Sequence, residues 1–99
     1  MKFFLVEGII KNPSLMNKNL LKEHMDYSQK AMDDGLILMS GLKSNMSGGL
    51  SIMKAEYIET VEDYLSSEPF KVHDILDYKV TEFSPHYFSQ SISEYISTK

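Results

Sequence analysis

The opening stretch of the chain, KFFLVEGII (residues 2–10), is apolar on both of its alternating sets of side chains. In a strand, Phe3, Leu5 and Ile9 share one face with Glu7, while Phe4, Val6 and Ile10 occupy the other. Such a strand needs cover on each side, so the rest of the chain must build layers around its own beginning. Glu7 interrupts the apolar run early and no small-residue cleavage site follows, which predicts a strand rather than a secretion signal. Asn12-Pro13 ends it, because proline restricts its predecessor and lacks a ladder donor.

A helix is predicted between Ser14 and Asp34. At about 100° per residue, Leu20, His24, Tyr27 and Ala31 fall on one stripe, with Met16 and Met32 near its edges. Gly35 is the expected stop, since it tolerates the left-handed conformation after a last turn. Residues 35–42 (GLILMSGL) and 50–56 (LSIMKAE) read as the second and third strands, joined by the turn formers KSNMSGG. Ser47-Gly48-Gly49 offers backbone amides to an anion, but it lacks the Lys-Ser/Thr ending of a phosphate loop and reads as a hairpin. A short helix follows from Ile58 to Leu65. PFKVHDIL is one turn of helix or an extended crossover, and residues 77–83 form the fourth strand.

The order β-α-β-β-α-β predicts an α+β, ferredoxin-like sandwich in one domain. Its core spans about residues 2–84, and residues 85–99 form a C-terminal appendage. Phe88, Ile92 and Ile96 have helical spacing there, so a small helix is expected to cover a cleft or extend a dimer contact. With two helices on one sheet face, Phe4 and Val6 are assigned to the other. An apolar patch of that size predicts sheet-to-sheet homodimerisation into a dimeric α/β barrel, with a higher oligomer left open.

Composition then narrows the function classes. With 42 % hydrophobic and 24 % charged residues, the 99-residue chain has the makeup of one folded domain. Acidic residues outnumber basic ones 14 to 10, arginine is absent, and the formal charge is -4. Nucleic acid is therefore not an expected partner, because its phosphates call for a basic patch. No run approaches the roughly 18 apolar residues of a membrane span. The absence of cysteine excludes disulfides and thiolate chemistry and agrees with a reducing, cytoplasmic compartment.

His24 is the most informative candidate residue, since its place on the helix stripe points the ring at the sheet. A ring so placed needs a partner for one nitrogen, or it bears an unsatisfied-donor cost of about 1–3 kcal/mol. It is either a satisfied half-buried histidine or a general acid–base group. Glu7 on a central strand needs a donor too. A Glu7–His24 pair would hold the imidazole tautomer and raise its basicity; alternatively Glu7 lies at the sheet end and reaches water. Tyr27 shares the register of His24, and His86 sits in an aromatic setting where it can line a cleft or an oligomer contact. Asp34, roughly 15 Å along the helix from His24, reads as a cap or solvated terminus. The three histidines match no metal-ligand spacing, so neither metal nor cofactor is expected.

Taken together, the KFFLVEG strand, His24 within LLKEHMDYSQKAMDDG, the GLILMSGL strand, the GG hairpin and SSEPF resemble the YciI-like family over about residues 2–84. The resemblance implies a dimeric α/β-barrel fold and an acid–base site in a cleft beside the sheet. It also implies a catalytic helix-1 histidine, carried over to His24, and an aspartate near the end of strand 1, for which Glu7 is the nearest substitute. Some relatives of this family eliminate chloride from chlorinated hydroxyquinols. The expected function is a cofactor-free small-molecule enzyme of elimination, isomerisation or lyase type, with His24 moving a proton and Glu7 orienting it. The alternative is a ligand-binding or structural homodimer without turnover.

Overall fold

The computed structural model describes residues 1–97, and the side chains of residues 1–93. Four strands, β1 (Lys2–Ile10), β2 (Ile37–Leu42), β3 (Gly49–Ala55) and β4 (Leu76–Phe83), form one antiparallel sheet in the order β2-β3-β1-β4. The doubly apolar first strand thus lies inside the sheet, between β3 and β4. Helices α1 (Lys18–Asp33) and α2 (Ile58–Ser66) pack on one face, and a single turn, α3 (Pro69–Val72), leads into β4. The architecture is the expected α+β, ferredoxin-like fold, with a short C-terminal helix, α4 (Gln90–Ser97).

Local chemistry sets the ends of α1. The Asn17 side chain accepts the Leu20 amide at 2.9 Å, satisfying one orphan donor. Gly35 follows the last turn at φ +85°, and the Leu36 amide returns to the Ala31 carbonyl at 2.9 Å. Leu20 and Ala31 are buried along the predicted stripe, while Asp34 is an exposed cap paired with Lys30.

The helix-facing side of the sheet differs from expectation. Phe4 and Val6 lie against the helices, fully buried with Ala31, Ile37, Met53, Ala55, Val61 and Leu65. Leu5 and Ile9 face away and are exposed, together with Met39, Leu50 and Phe83. Because side chains alternate with period two, an inversion at one residue inverts the whole strand, and Glu7 goes with Leu5 to the open face. A pattern apolar on both sets holds no parity signal of its own. Ala31 on α1 and Val61 and Leu65 on α2 pack against the Phe4/Val6 side.

A bulge between Ile37 and Met39 breaks the β2 register. Ile37 pairs with Met53 and Ser40 with Ser51, so Ile37 and Ser40 share the helix side although they are three residues apart. In the C-terminal segment, Tyr87, Phe88 and Ile92 are exposed, and α4 does not lay these side chains over the helix-side cleft. The Tyr95 and Ile96 side chains fall outside the described residues.

Candidate active site

Between α1 and the sheet lies an open cavity of about 450 Å³. Val6, Gly8 and Ile10 of β1 line its sheet side, with Ser51 and Met53 of β3 beside them; His24 and Ser28 of α1 face them, along with Tyr64, Glu68 and Phe70. Gly8 contributes no side chain to this surface, which leaves room between its two larger neighbours.

His24 is held on two sides by the segment Glu68-Pro69-Phe70. Its Nδ1 lies 2.7 Å from Glu68 Oε2, and its ring stacks parallel on Phe70 with centroids 4.0 Å apart. The local sequence explains this arrangement. Glu68 is the N-cap of α3, accepting the Phe70 amide at 3.1 Å, and Pro69 begins the turn where its missing N–H costs nothing. The same capping bond that starts the turn therefore aims the carboxylate at α1 and lays Phe70 beneath the imidazole.

Glu68 is 1 % exposed, yet none of its charge is left without a donor. Tyr78 Oη donates to Oε1 at 2.6 Å, while Oε2 takes the Phe70 amide and His24. Burial pushes the carboxyl up, but the bonds from His24, Tyr78 and Phe70 outweigh it and hold Glu68 below the ordinary glutamate range. A carboxylate only accepts, so Nδ1 carries the proton of the neutral ring, and Nε2 presents its lone pair. Nε2 has no hydrogen-bond partner among the described residues, and the side chain keeps 29 % exposure on the cavity.

The sign of the Glu68 shift sets an acid-stability expectation. A carboxyl held low in the folded state stabilises the protein above its unfolded value of about 4.3, and that contribution disappears as pH falls through the folded value. Urea midpoints measured from pH 6 to pH 3 should fall more steeply for the wild type than for Glu68→Gln. Parallel curves would contradict this role for the carboxylate.

Glu7 does not meet His24. It lies on the open sheet face and binds Lys43 Nζ at 2.6 Å, which holds its carboxyl below the usual range. The expected Glu7–His24 pair is replaced by Glu68–His24, for the parity reason given above. Tyr27 also stays out of the cavity lining. Its hydroxyl donates to the Tyr64 carbonyl at 2.7 Å and its ring stacks on Tyr64, so it backs a residue that does face the cavity. Burial pushes the Tyr64 phenol up to about 12. His86 is exposed beside Tyr87 and lies away from the cavity. The signal for Glu68 was an acidic residue immediately before proline at a helix start, a capping position rather than a solvated one.

Comparison with solved structures agrees with this topology. The chain is similar to 5-chloro-2-hydroxyhydroquinone dehydrochlorinase from Burkholderia phenoliruptrix, in complex with 2,5-dihydroxybenzoquinone. The TM-score is 0.71 at 19 % identity, covering 85 % of this chain and 95 % of that one. It is also similar to muconolactone isomerase, with a TM-score of 0.74 at 18 % identity, covering 89 % of this chain and 94 % of the other. Both likenesses extend over most of the chain and agree with its α+β, ferredoxin-like fold. No family model and no curated protein matches the sequence. Among the described residues, no helix is long and apolar enough to cross a membrane, and no three His, Asp or Glu side chains group as a metal site.

Proposed function

We propose that this protein is a YciI-like small-molecule enzyme in which His24 is the general acid–base catalyst and Glu68 its positioning residue. One observation carries the proposal: a cavity-lining imidazole whose Nδ1 is bound to a buried carboxylate and whose Nε2 has no hydrogen-bond partner among the described residues. In the proposed step, Nε2 takes a proton from a carbon or hydroxyl of the substrate. Glu68 stabilises the imidazolium that forms, and Nε2 returns the proton to a second atom or to a leaving group. Eliminations and isomerisations that turn on moving a single proton follow this course. The dehydrochlorinase and isomerase activities of the two similar structures belong to these classes and support the reading.

The experiment is a deuterium-exchange assay. Hydroxylated ring compounds and five-membered lactones are incubated in D2O with wild-type protein or His24→Ala, and loss or exchange of ring-carbon hydrogen is followed by proton NMR. Wild type should exchange at least one compound, and folded His24→Ala should not. Exchange that survives in His24→Ala would sink the proposal, and binding without exchange would favour a non-catalytic ligand-binding dimer.

The open sheet face supports homodimerisation, because it exposes the large apolar side chains of Leu5, Ile9, Met39, Leu50 and Phe83 around the Glu7–Lys43 ion pair. Light scattering should give a dimer for wild type and a monomer for Leu5→Glu, which places a charge at the centre of that face. A wild-type monomer would remove the dimer from the proposal. The proposed location is the cytoplasm, as the lack of cysteine suggests.

A further inference from the structure

The lining of the cavity is unusual in what it offers a ligand. Its ionisable side chains are His24, Glu68, Tyr64 and Tyr78; no lysine lines it among the described residues, and the chain has no arginine. Lys43, on the nearby hairpin, is committed to Glu7. With a neutral imidazole the site carries the single negative charge of Glu68, and with a protonated one it carries none in sum. A carboxylate or phosphate entering this largely apolar cleft would lose its hydration and meet no net positive charge in return.

Neutral polar groups are present instead. Ser40 and Ser51 are paired residues on β2 and β3, and both line the cavity. Neither hydroxyl has a hydrogen-bond partner among the described residues. Ser51 is half-buried and Ser40 is exposed. The bulge between Ile37 and Met39 brings Ser40 to this side, since unbroken alternation from Ile37 would have presented Met39. Bulges that re-aim one side chain are common beside ligand sites. The volume is about three times the ~150 Å³ that admits benzene, so a substituted ring fits.

We infer that the site takes an uncharged, hydroxyl- or carbonyl-bearing ring compound, with its oxygen held by Ser40 and Ser51, and discriminates against ring compounds that carry a carboxylate or phosphate. This rests on the proposed His24 site and adds its substrate class and two specificity-determining residues.

The test uses two probes that share one ring, hydroquinone and its carboxylated analogue 2,5-dihydroxybenzoate, with toluene as an apolar control. Binding is measured by ligand-observed NMR titration on wild type, His24→Ala, the double variant Ser40→Ala/Ser51→Ala, and Ser51→Thr. Wild type should bind hydroquinone at least about tenfold more tightly than the carboxylate. The double variant should lose about tenfold for hydroquinone and little for toluene, the size expected for one or two neutral hydrogen bonds. Ser51→Thr, which keeps the hydroxyl, should retain hydroquinone binding.

Equal or tighter binding of the carboxylate, no measurable binding of hydroquinone, or an unaffected double variant would each overturn the inference. The His24→Ala protein separates ligand recognition from catalysis. If it keeps the same preference while wild type shows no exchange chemistry, the ligand class stands and the catalytic reading falls.

Discussion

Glu68→Gln is expected to cut turnover by about 10²–10⁴-fold while leaving most molecules folded. The cause is a change of tautomer. In wild type the carboxylate accepts from three donors: Tyr78 Oη at 2.6 Å, His24 Nδ1 at 2.7 Å and the Phe70 amide at 3.1 Å. Glutamine has one accepting oxygen, and the Tyr78 hydroxyl is the donor best placed to claim it. The amide NH2 then faces His24 and donates to Nδ1. That moves the ring proton to Nε2, so the atom on the cavity becomes a donor and ceases to be a base. The Phe70 amide meets an NH2 group and loses its partner, which costs about 1–3 kcal/mol.

Nitrogen-15 NMR of the His24 ring would read the tautomer directly, and the deuterium-exchange assay would read the rate. Undiminished exchange with the proton on Nε2 would end the role assigned to Glu68. Glu7→Gln serves as the companion variant. It should leave exchange within about twofold of wild type, because Glu7 binds Lys43 on the opposite face of the sheet.

Gly48→Ala is expected to destabilise the protein by about 3 kcal/mol or more. Gly48 sits at φ +151°, and a Cβ built there would lie 1.9 Å from the Gly8 carbonyl oxygen and 2.7 Å from its carbon. Both obstacles are backbone atoms of the central strand, so no rotamer change relieves the contact. The hairpin lies this close because the Ile10 amide bonds the Ser47 carbonyl at 2.9 Å, which carries the loop along β1 beyond the last regular β1–β3 pair. Gly8, Gly48 and Gly49 all line the cavity, so the approach that forbids a side chain at Gly48 also shapes the site.

Gly35→Ala provides the comparison. Gly35 has φ +85° but nothing within 4 Å of a built Cβ, so it should show the conformational cost alone, about 1–2 kcal/mol. Urea denaturation of the two variants would separate the terms, and equal losses would mean that the Gly8 contact relaxes at little cost.

The elements of the fold were legible because each has a local cause. Proline after the first strand, apolar spacing in the first helix, Gly35 at its end and a glycine-rich hairpin are all short-range signals. They located the strands and helices to within a few residues and put His24 on the sheet-facing side of α1. The acid partner was different. Glu7 lies within the apolar first strand and Glu68 caps a helical turn, and what separates them is the face on which each arrives. The sequence spacing between His24 and Glu68 is 44 residues, so no local periodicity connects them.

The sequence by itself determined the order of elements and the helix stripe that includes His24, because those depend on spacing within single elements. Only the tertiary structure decided which side of β1 faces the helices, and with it the exchange of Glu7 for Glu68 as the histidine's partner. The same holds for Ser40, which a bulge turns into the cavity. In a strand apolar on both sides, parity is set by what packs against it, and a single residue of shift sends every side chain to the other face.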